Sequence, residues 1–168
     1  MPVAFLSLHF IMQQAFIKTP LGVTAITGDE NGVSKIHVLD EAVAGSVTIP
    51  AELSEAVEQL QDYFGGVRTS FSFTMNPAGT DFQKKVWQSL LEIPFGKTMS
   101  YHELSLKLGD VKAIRAVASA NGKNPLWIVV PCHRVIGSDG SLTGYAGGLW
   151  RKKWLLEHET PPIQQSLF

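Results

Sequence analysis

The stretch that decides the architecture is residues 100–122, SYHELSLKLGDVKAIRAVASANG. Ser100 followed three residues later by Glu103 is a capping box, in which each side chain satisfies the other residue's backbone N–H at a helix start. It opens a short helix whose Leu104 and Leu108 face inward, and Gly109 closes it. Asp110 then caps another helix over residues 111–121, rich in small residues, with Lys112 and Arg115 on one side and Gly122 as its terminator. Two short capped helices joined by a tight glycine turn outline a helix-turn-helix. An ordinary helical hairpin has the same outline, with Arg115 as a solvated surface charge. Ala113, Ala116, Ala118 and Ala120 suit close helix packing and equally suit approach to a nucleic-acid backbone.

Working outward toward the N-terminus, Thr80 and Gln83 repeat the capping box and open a helix with Phe82, Val86, Leu90 and Ile93 on one stripe, ended by Pro94-Phe95-Gly96. Before it, Asn76-Pro77-Ala78-Gly79 reads as a linker. Residues 15–18, 23–27 and 34–39 are β-branched or aromatic runs separated by turn residues, which predicts an antiparallel meander. After Pro50, Leu53, Ala56, Val57, Leu60, Tyr63 and Phe64 recur at helical spacing until Gly65-Gly66 stops them. Phe71 and Phe73 alternate with serine and predict a last short strand. The expected class is α+β, with an N-terminal sheet-and-helix unit over 1–77, a helical unit over 78–160 and a tail over 161–168.

Composition narrows the function classes. The chain has 168 residues, 45% hydrophobic and 17% charged, which fits one globular unit or two small packed ones rather than a disordered or fibrous chain. No apolar stretch reaches the roughly 18 residues that a membrane-spanning helix needs. The net charge of −1 hides an asymmetry: residues 1–77 carry 3 basic and 8 acidic side chains, residues 78–168 carry 11 and 7. Only the second part is electrostatically suited to phosphate, and its charge alone is a modest footprint. The opening residues 1–12 lack the basic start and small-residue cleavage site of a secretory signal, so a cytoplasmic protein is expected. Met12 offers an alternative start, which would make residues 1–11 an extension.

One cysteine excludes an internal disulfide and a multi-thiolate metal site, and makes Cys132 either inert filler or a reactive thiol. It follows the apolar run 126–130, read as a buried strand, in the sequence Pro131-Cys132-His133-Arg134-Val135. With a pKa of about 8.5 an ordinary thiol is only a few per cent ionised near neutrality, so a nucleophilic cysteine needs a base or a positive field beside it. His133 and Arg134 are candidates for both. Downstream, Gly144-Tyr145-Ala146-Gly147-Gly148 is a glycine-rich loop whose N–H groups can approach a ligand closely, and it leads into a helix ending at Glu157-His158-Glu159. That places a carboxylate where it could orient an imidazole.

Together, Asn124-Pro125, Pro131-Cys132-His133-Arg134-Val135, Gly144-Tyr145-Ala146-Gly147-Gly148 and the Trp154-Leu155-Leu156, His158-Glu159 ending resemble the O6-alkylguanine-DNA alkyltransferases, or methylated-DNA–protein-cysteine methyltransferases. The resemblance is strong over 78–160 and consistent in layout over 12–77. It implies a ribonuclease H-like N-terminal fold, a winged-helix-like C-terminal one, and a suicidal methyl transfer from O6-alkylguanine, more weakly from O4-alkylthymine, in double-stranded DNA. Cys132 is then the acceptor, His133 the base acting through a water, and Glu159 the carboxylate holding His133. Asn124 ties the active-site strand to the recognition helix, and Tyr101 donates a proton to the purine ring.

The same resemblance makes Arg115 the side chain that fills the gap left by an extruded base, with Ser100, Lys112, Ala116, Ala120 and Asn121 on the DNA face. Val135, Tyr145, Ala146 and Gly147 form the base pocket. The chemistry agrees: displacement at carbon needs a thiolate in line and a donor for the departing guanine, and the target must leave the stack. No cofactor is implied, and the thiols of the zinc site in some relatives are absent, so no metal is expected. A non-catalytic alkyltransferase-like binder of damaged DNA lacks the thiol present here; a cysteine hydrolase would turn over many times.

The last residues, Gln164-Gln165-Ser166-Leu167-Phe168, resemble the short peptide by which bacterial repair proteins dock on the sliding clamp, with Gln164, Leu167 and Phe168 as anchors. A frayed apolar terminus is the alternative. Nothing in the sequence calls for an obligate partner subunit, so a monomer is expected.

Overall fold

A computed structural model describes residues 11–160. Three strands, β1 (Gln13–Thr19), β2 (Gly22–Asp29) and β3 (Gly32–Val38), form the expected antiparallel meander in the order β1-β2-β3. β2 is central, and its Thr24, Ala25 and Ile26 are all buried because both sheet faces are covered. A short 3-10 turn (Ala51–Leu53) leads into α1 (Ser54–Phe64), which lays Ala56, Val57, Leu60 and Tyr63 into the core.

The Thr80 capping box is fully formed at the start of α2 (Asp81–Leu90), and the Ser100 box at the start of α3 (Tyr101–Lys107). Asp110 accepts from the Lys112 N–H at the head of a 3-10 turn that runs into α4 (Ile114–Gly122). Gly109, at φ +92°, makes the turn between α3 and α4. Two short parallel strands, β4 (Met99–Ser100) and β5 (Val135–Ile136), bring the head of α3 beside the Cys132 segment. The last element among the described residues is α5 (Leu149–Glu159). This α+β arrangement is the expected class.

Four expectations are corrected. The segment holding Phe71 and Phe73 is not a strand: Ser72 is bonded through N–H and hydroxyl to the Gln59 side chain of α1, and pairing with β3 occurs only at Met75. The apolar run 126–130 is buried but is no strand either. Leu126 makes one parallel bridge to Ile36 of β3, after which Ile128 adopts φ +70° and the Val130 N–H returns to the Leu126 carbonyl. Unbroken apolarity reported burial there, not period. On α2, Phe82 is 40% exposed and Trp87 is buried in its place, its indole N–H donating to the Ala120 carbonyl. Gly122 is the last helical residue of α4, with Lys123 as the cap, rather than a left-handed terminator.

The sheet and the helical part are joined by backbone pairing. The Ile36 N–H donates to the Pro125 carbonyl at 2.8 Å, and the Trp127 N–H donates to the Ile36 carbonyl at 3.1 Å. The Cys132 turn therefore hangs from the edge of β3. Thr80→Ala removes one side of the α2 capping box and is expected to lower unfolding free energy by about 1 kcal/mol, read as a shift in urea midpoint at constant slope.

Candidate active site

Cys132, His133 and Arg134 form a single 3-10 turn after Pro131, and all three are buried. The turn is braced by Asn124, whose amide donates to the Val130 carbonyl at 2.7 Å and to Cys132 Sγ at 3.2 Å while its oxygen accepts from the Leu126 N–H at 2.9 Å. Its side-chain bonds thus close the active-site turn on itself; only its main-chain N–H, bonded to the Asn121 carbonyl, reaches α4. Burial pushes the Cys132 thiol up, and the Asn124 hydrogen bond and the Lys152 charge oppose this without reversing it. The resting side chain is a neutral thiol.

His133 is fully buried, with Nε2 2.8 Å from Glu159 Oε1. A carboxylate only accepts, so the proton sits on Nε2 and the lone pair on Nδ1. That Nδ1 is buried and has no hydrogen-bond partner among the described residues. Burial lowers the imidazole pKa, and Glu159 recovers part of the loss, leaving a neutral ring with one basic nitrogen free.

Glu159 is the last residue of α5 and is 1% exposed. It accepts from His133, from Arg134 Nε at 2.8 Å and Nη2 at 2.9 Å, and from the Tyr63 hydroxyl at 2.7 Å. Burial alone would raise its pKa, but the hydrogen bonds from His133 and Arg134 and the Arg134 charge outweigh burial and hold the carboxyl well below the usual range. Arg134 is further fixed by Nη1 on the Ile93 carbonyl at 2.7 Å.

A cleft of about 560 Å³ opens beside this network, between Tyr101, Arg115 and Ala118 on the helix-turn-helix and Gly144, Tyr145 and Ala146 on the glycine loop. Cys132 does not line it, yet it lies close enough that its thiolate form would act on Tyr101 and Tyr145, which do. Burial chiefly, and Cys132 next, raise the Tyr101 pKa, so this phenol keeps its proton. Its hydroxyl lies 3.5 Å from the Thr143 and Gly144 carbonyls and from the Asn121 amide.

Arg115, Lys112 and Ala116 are exposed on the outer side of the helix-turn-helix, and Ser100 is half-buried at its head. Ala120 and Asn121 are not on that face. They are buried with Val117 on the inner stripe of α4, Ala120 against Trp87 and Asn121 beneath Tyr101, because i, i+3 and i+4 positions share one side. Val135 is buried and its carbonyl already accepts from Lys152 Nζ at 2.6 Å. Gly147 contributes its carbonyl to Arg151 Nη1 at 2.9 Å.

Sequence reasoning missed Lys152, Arg151 and Tyr63. Lys152 is completely buried, bonded to the Val135 and Thr143 carbonyls, and its charge favours a thiolate at Cys132. The signal was its spacing: Lys152, Leu155 and Glu159 fall on one helical stripe, where a lysine is out of place unless it is used.

The 6-O-methylguanine DNA methyltransferase family models match twice, the ribonuclease-like domain over residues 12–77 and the DNA binding domain over 81–161. A methylated-DNA–protein-cysteine methyltransferase of Methanosarcina barkeri is 44% identical over 155 residues, covering 88% of this chain and 97% of the relative. The crystal structure of the Mycobacterium tuberculosis O6-methylguanine methyltransferase is 42% identical with a TM-score of 0.80, covering 94% of this chain and 99% of that one. A second Mycobacterium tuberculosis structure, solved in complex with DNA, is 44% identical with a TM-score of 0.79 over 87% of this chain and 92% of that one.

The depressed Glu159 carboxyl gives a stability term present above the ordinary carboxylate pKa of about 4.5 and lost as pH falls below it. Glu159→Gln is expected to unfold more easily by about 3 kcal/mol at neutral pH, with the gap to wild type narrowing on acidification. Urea unfolding at several pH values measures this.

Proposed function

Because the chain belongs to the 6-O-methylguanine DNA methyltransferase family, we propose that its Cys132 turn, His133–Glu159 pair and adjoining cleft are the alkyl-acceptor site. The activity is methylated-DNA–protein-cysteine methyltransferase, a direct DNA repair by alkyl transfer to a cysteine. The single observation that carries the residue assignment is the buried Nδ1 of His133, without a hydrogen-bond partner among the described residues, on the residue next in sequence to a buried thiol, with Nε2 already committed to Glu159.

In this reading the damaged base leaves the duplex and enters the cleft, Arg115 fills the gap, and Tyr145-Ala146 close over the purine. Ser100, Lys112 and Ala116 lie along the DNA backbone. His133 Nδ1 takes the thiol proton through a water; Sγ forms a bond to the alkyl carbon as the carbon–O6 bond breaks, and the electron pair passes to the purine. Tyr101 supplies the proton that neutralises the purine ring, and the Lys152 charge favours the transient thiolate. The thioether has no leaving group, so each molecule acts once, on O6-alkylguanine first and O4-alkylthymine more slowly. The presence of Cys132 argues against a non-catalytic damage binder.

We further propose an N-terminal unit over 1–77, a DNA-binding and acceptor unit over 78–160, and a monomer working in the cytoplasm. No helix among the described residues is long and apolar enough to cross a membrane. The tail is proposed to dock on the sliding clamp through Gln164, Leu167 and Phe168, which lie outside the described residues.

Incubation with a duplex carrying one O6-methylguanine is expected to replace one hydrogen by one methyl per protein, at Cys132, with no further product on prolonged incubation. Intact-mass measurement reads this, and Cys132→Ala is expected to gain nothing; turnover without protein modification would indicate a hydrolase. For the tail, clamp affinity is expected to fall at least about tenfold in a protein cut after Pro162, and equal affinities remove the docking proposal.

A further inference from the structure

Tyr63 belongs to α1, in the N-terminal half, yet its hydroxyl ends on the carboxylate that holds the base. The residue is completely buried. Its ring is boxed by Phe64 at 5.5 Å, Phe71 at 5.6 Å, Phe95 at 6.3 Å and His158 at 5.1 Å between centroids. His158 Nε2 also donates to the Tyr63 carbonyl at 2.7 Å. Aromatic packing and a backbone bond therefore place the ring without help from its hydroxyl, whose only hydrogen-bond partner among the described residues is Glu159 Oε1.

The two oxygens of Glu159 are loaded unequally. Oε2 accepts one hydrogen bond, from Arg134 Nε, whereas Oε1 accepts three, from Tyr63, His133 and Arg134 Nη2. Donors on one oxygen draw on the same electron density, so each weakens the others. A buried phenol could satisfy itself on a backbone carbonyl; this one sits on the atom that the base uses.

We infer that Tyr63 is a positioning residue for the alkyl transfer, its hydroxyl sharing Glu159 Oε1 with His133 and thereby setting how tightly the imidazole holds a proton. This rests on the reading of His133 as the base. Without the hydroxyl, Oε1 is a stronger partner for Nε2–H, the imidazolium is favoured, and the imidazole is neutral over a narrower range. The neutral form is the one that takes the thiol proton. The acid limb of the reaction therefore moves to higher pH when the hydroxyl is removed. The other ionisable groups facing the pair are Cys132 and Arg134 from the turn, Lys152 and His158 from α5 and Tyr145 from the glycine loop, and all stay in place in the variants below. Burial already holds His133 below its ordinary pKa, so the expected displacement is against a neutral resting ring.

The test compares wild type with Tyr63→Phe in full-length protein. Two quantities are followed against pH: methyl transfer from an O6-methylguanine duplex, and the His133 imidazole titration by NMR without DNA. Both midpoints are expected to rise by about half a pH unit, which is about threefold slower transfer on the acid side. Site-specific 3-fluorotyrosine at position 63, a stronger donor of nearly the same shape, is expected to move both midpoints down, and it carries the test should Tyr63→Phe fail to fold. Midpoints equal to wild type, even in a variant that melts earlier, overturn the inference and leave a packing role only. Absence of methyl transfer by wild type would sink the function proposed above, while the NMR midpoint would still decide the role of Tyr63.

Discussion

An ionised carboxylate shut inside the protein is the constraint on which the rest of this structure depends. Taking Glu159 out of water costs several kcal/mol unless its lone pairs are fully bonded, and its place at the C-terminal, negative end of α5 adds to the cost. The offset comes from four hydrogen bonds drawn from two other regions of the chain, Tyr63 of α1 and the His133-Arg134 turn. Those regions can meet only if the sheet, the acceptor turn and the last helix converge on one point. The carboxylate thus registers the fold and orients the imidazole in the same contacts.

Local signals along the chain were legible because they act at short range. Both capping boxes, the meander and the Gly109 turn are set by residues within a few positions of one another, and each stands where periodicity and turn chemistry place it. What escaped depends on long-range partners. Residues 126–130 look like a strand because they are apolar, yet the Asn124 side chain ties both ends of that run together and coils it. The family resemblance put Ala120 and Asn121 on the DNA face, yet Trp87, 33 positions away from Ala120, claims that side of α4. Within the candidate site, Cys132, His133 and Glu159 were visible as residue types with a known chemical use. Tyr63 and Arg151 were not, because their partners lie on other elements and no local pattern marks them, and Lys152 was marked only by its place on the buried stripe of α5.

The resting charge state follows from the same burial. Neither the thiol nor the imidazole is ionised before substrate arrives: desolvation raises one and lowers the other, and the favourable charges of Lys152 and Glu159 only moderate this. A neutral thiol is a poor nucleophile toward adventitious electrophiles and oxidants. For a side chain that reacts once, low resting reactivity preserves the protein until, in the proposed reaction, an alkylated base enters the cleft and Nδ1 takes the thiol proton.

The glycine loop is held by the first turn of α5. Lys152 Nζ holds the Thr143 carbonyl at 2.9 Å, and Arg151 holds the Gly147 carbonyl on one side and the Leu21 carbonyl and Asp40 of the sheet unit on the other. The glycine loop is therefore anchored at both ends of the segment Gly144 to Ala146. An anchored loop loses less conformational entropy on binding than a free one, so in the proposed reaction more of its contact energy with the extruded purine is available to offset the cost of unstacking it. The sheet unit carries none of the helix-turn-helix and still reaches the candidate site at two points, through Tyr63 on Glu159 and through Leu21 and Asp40 on Arg151.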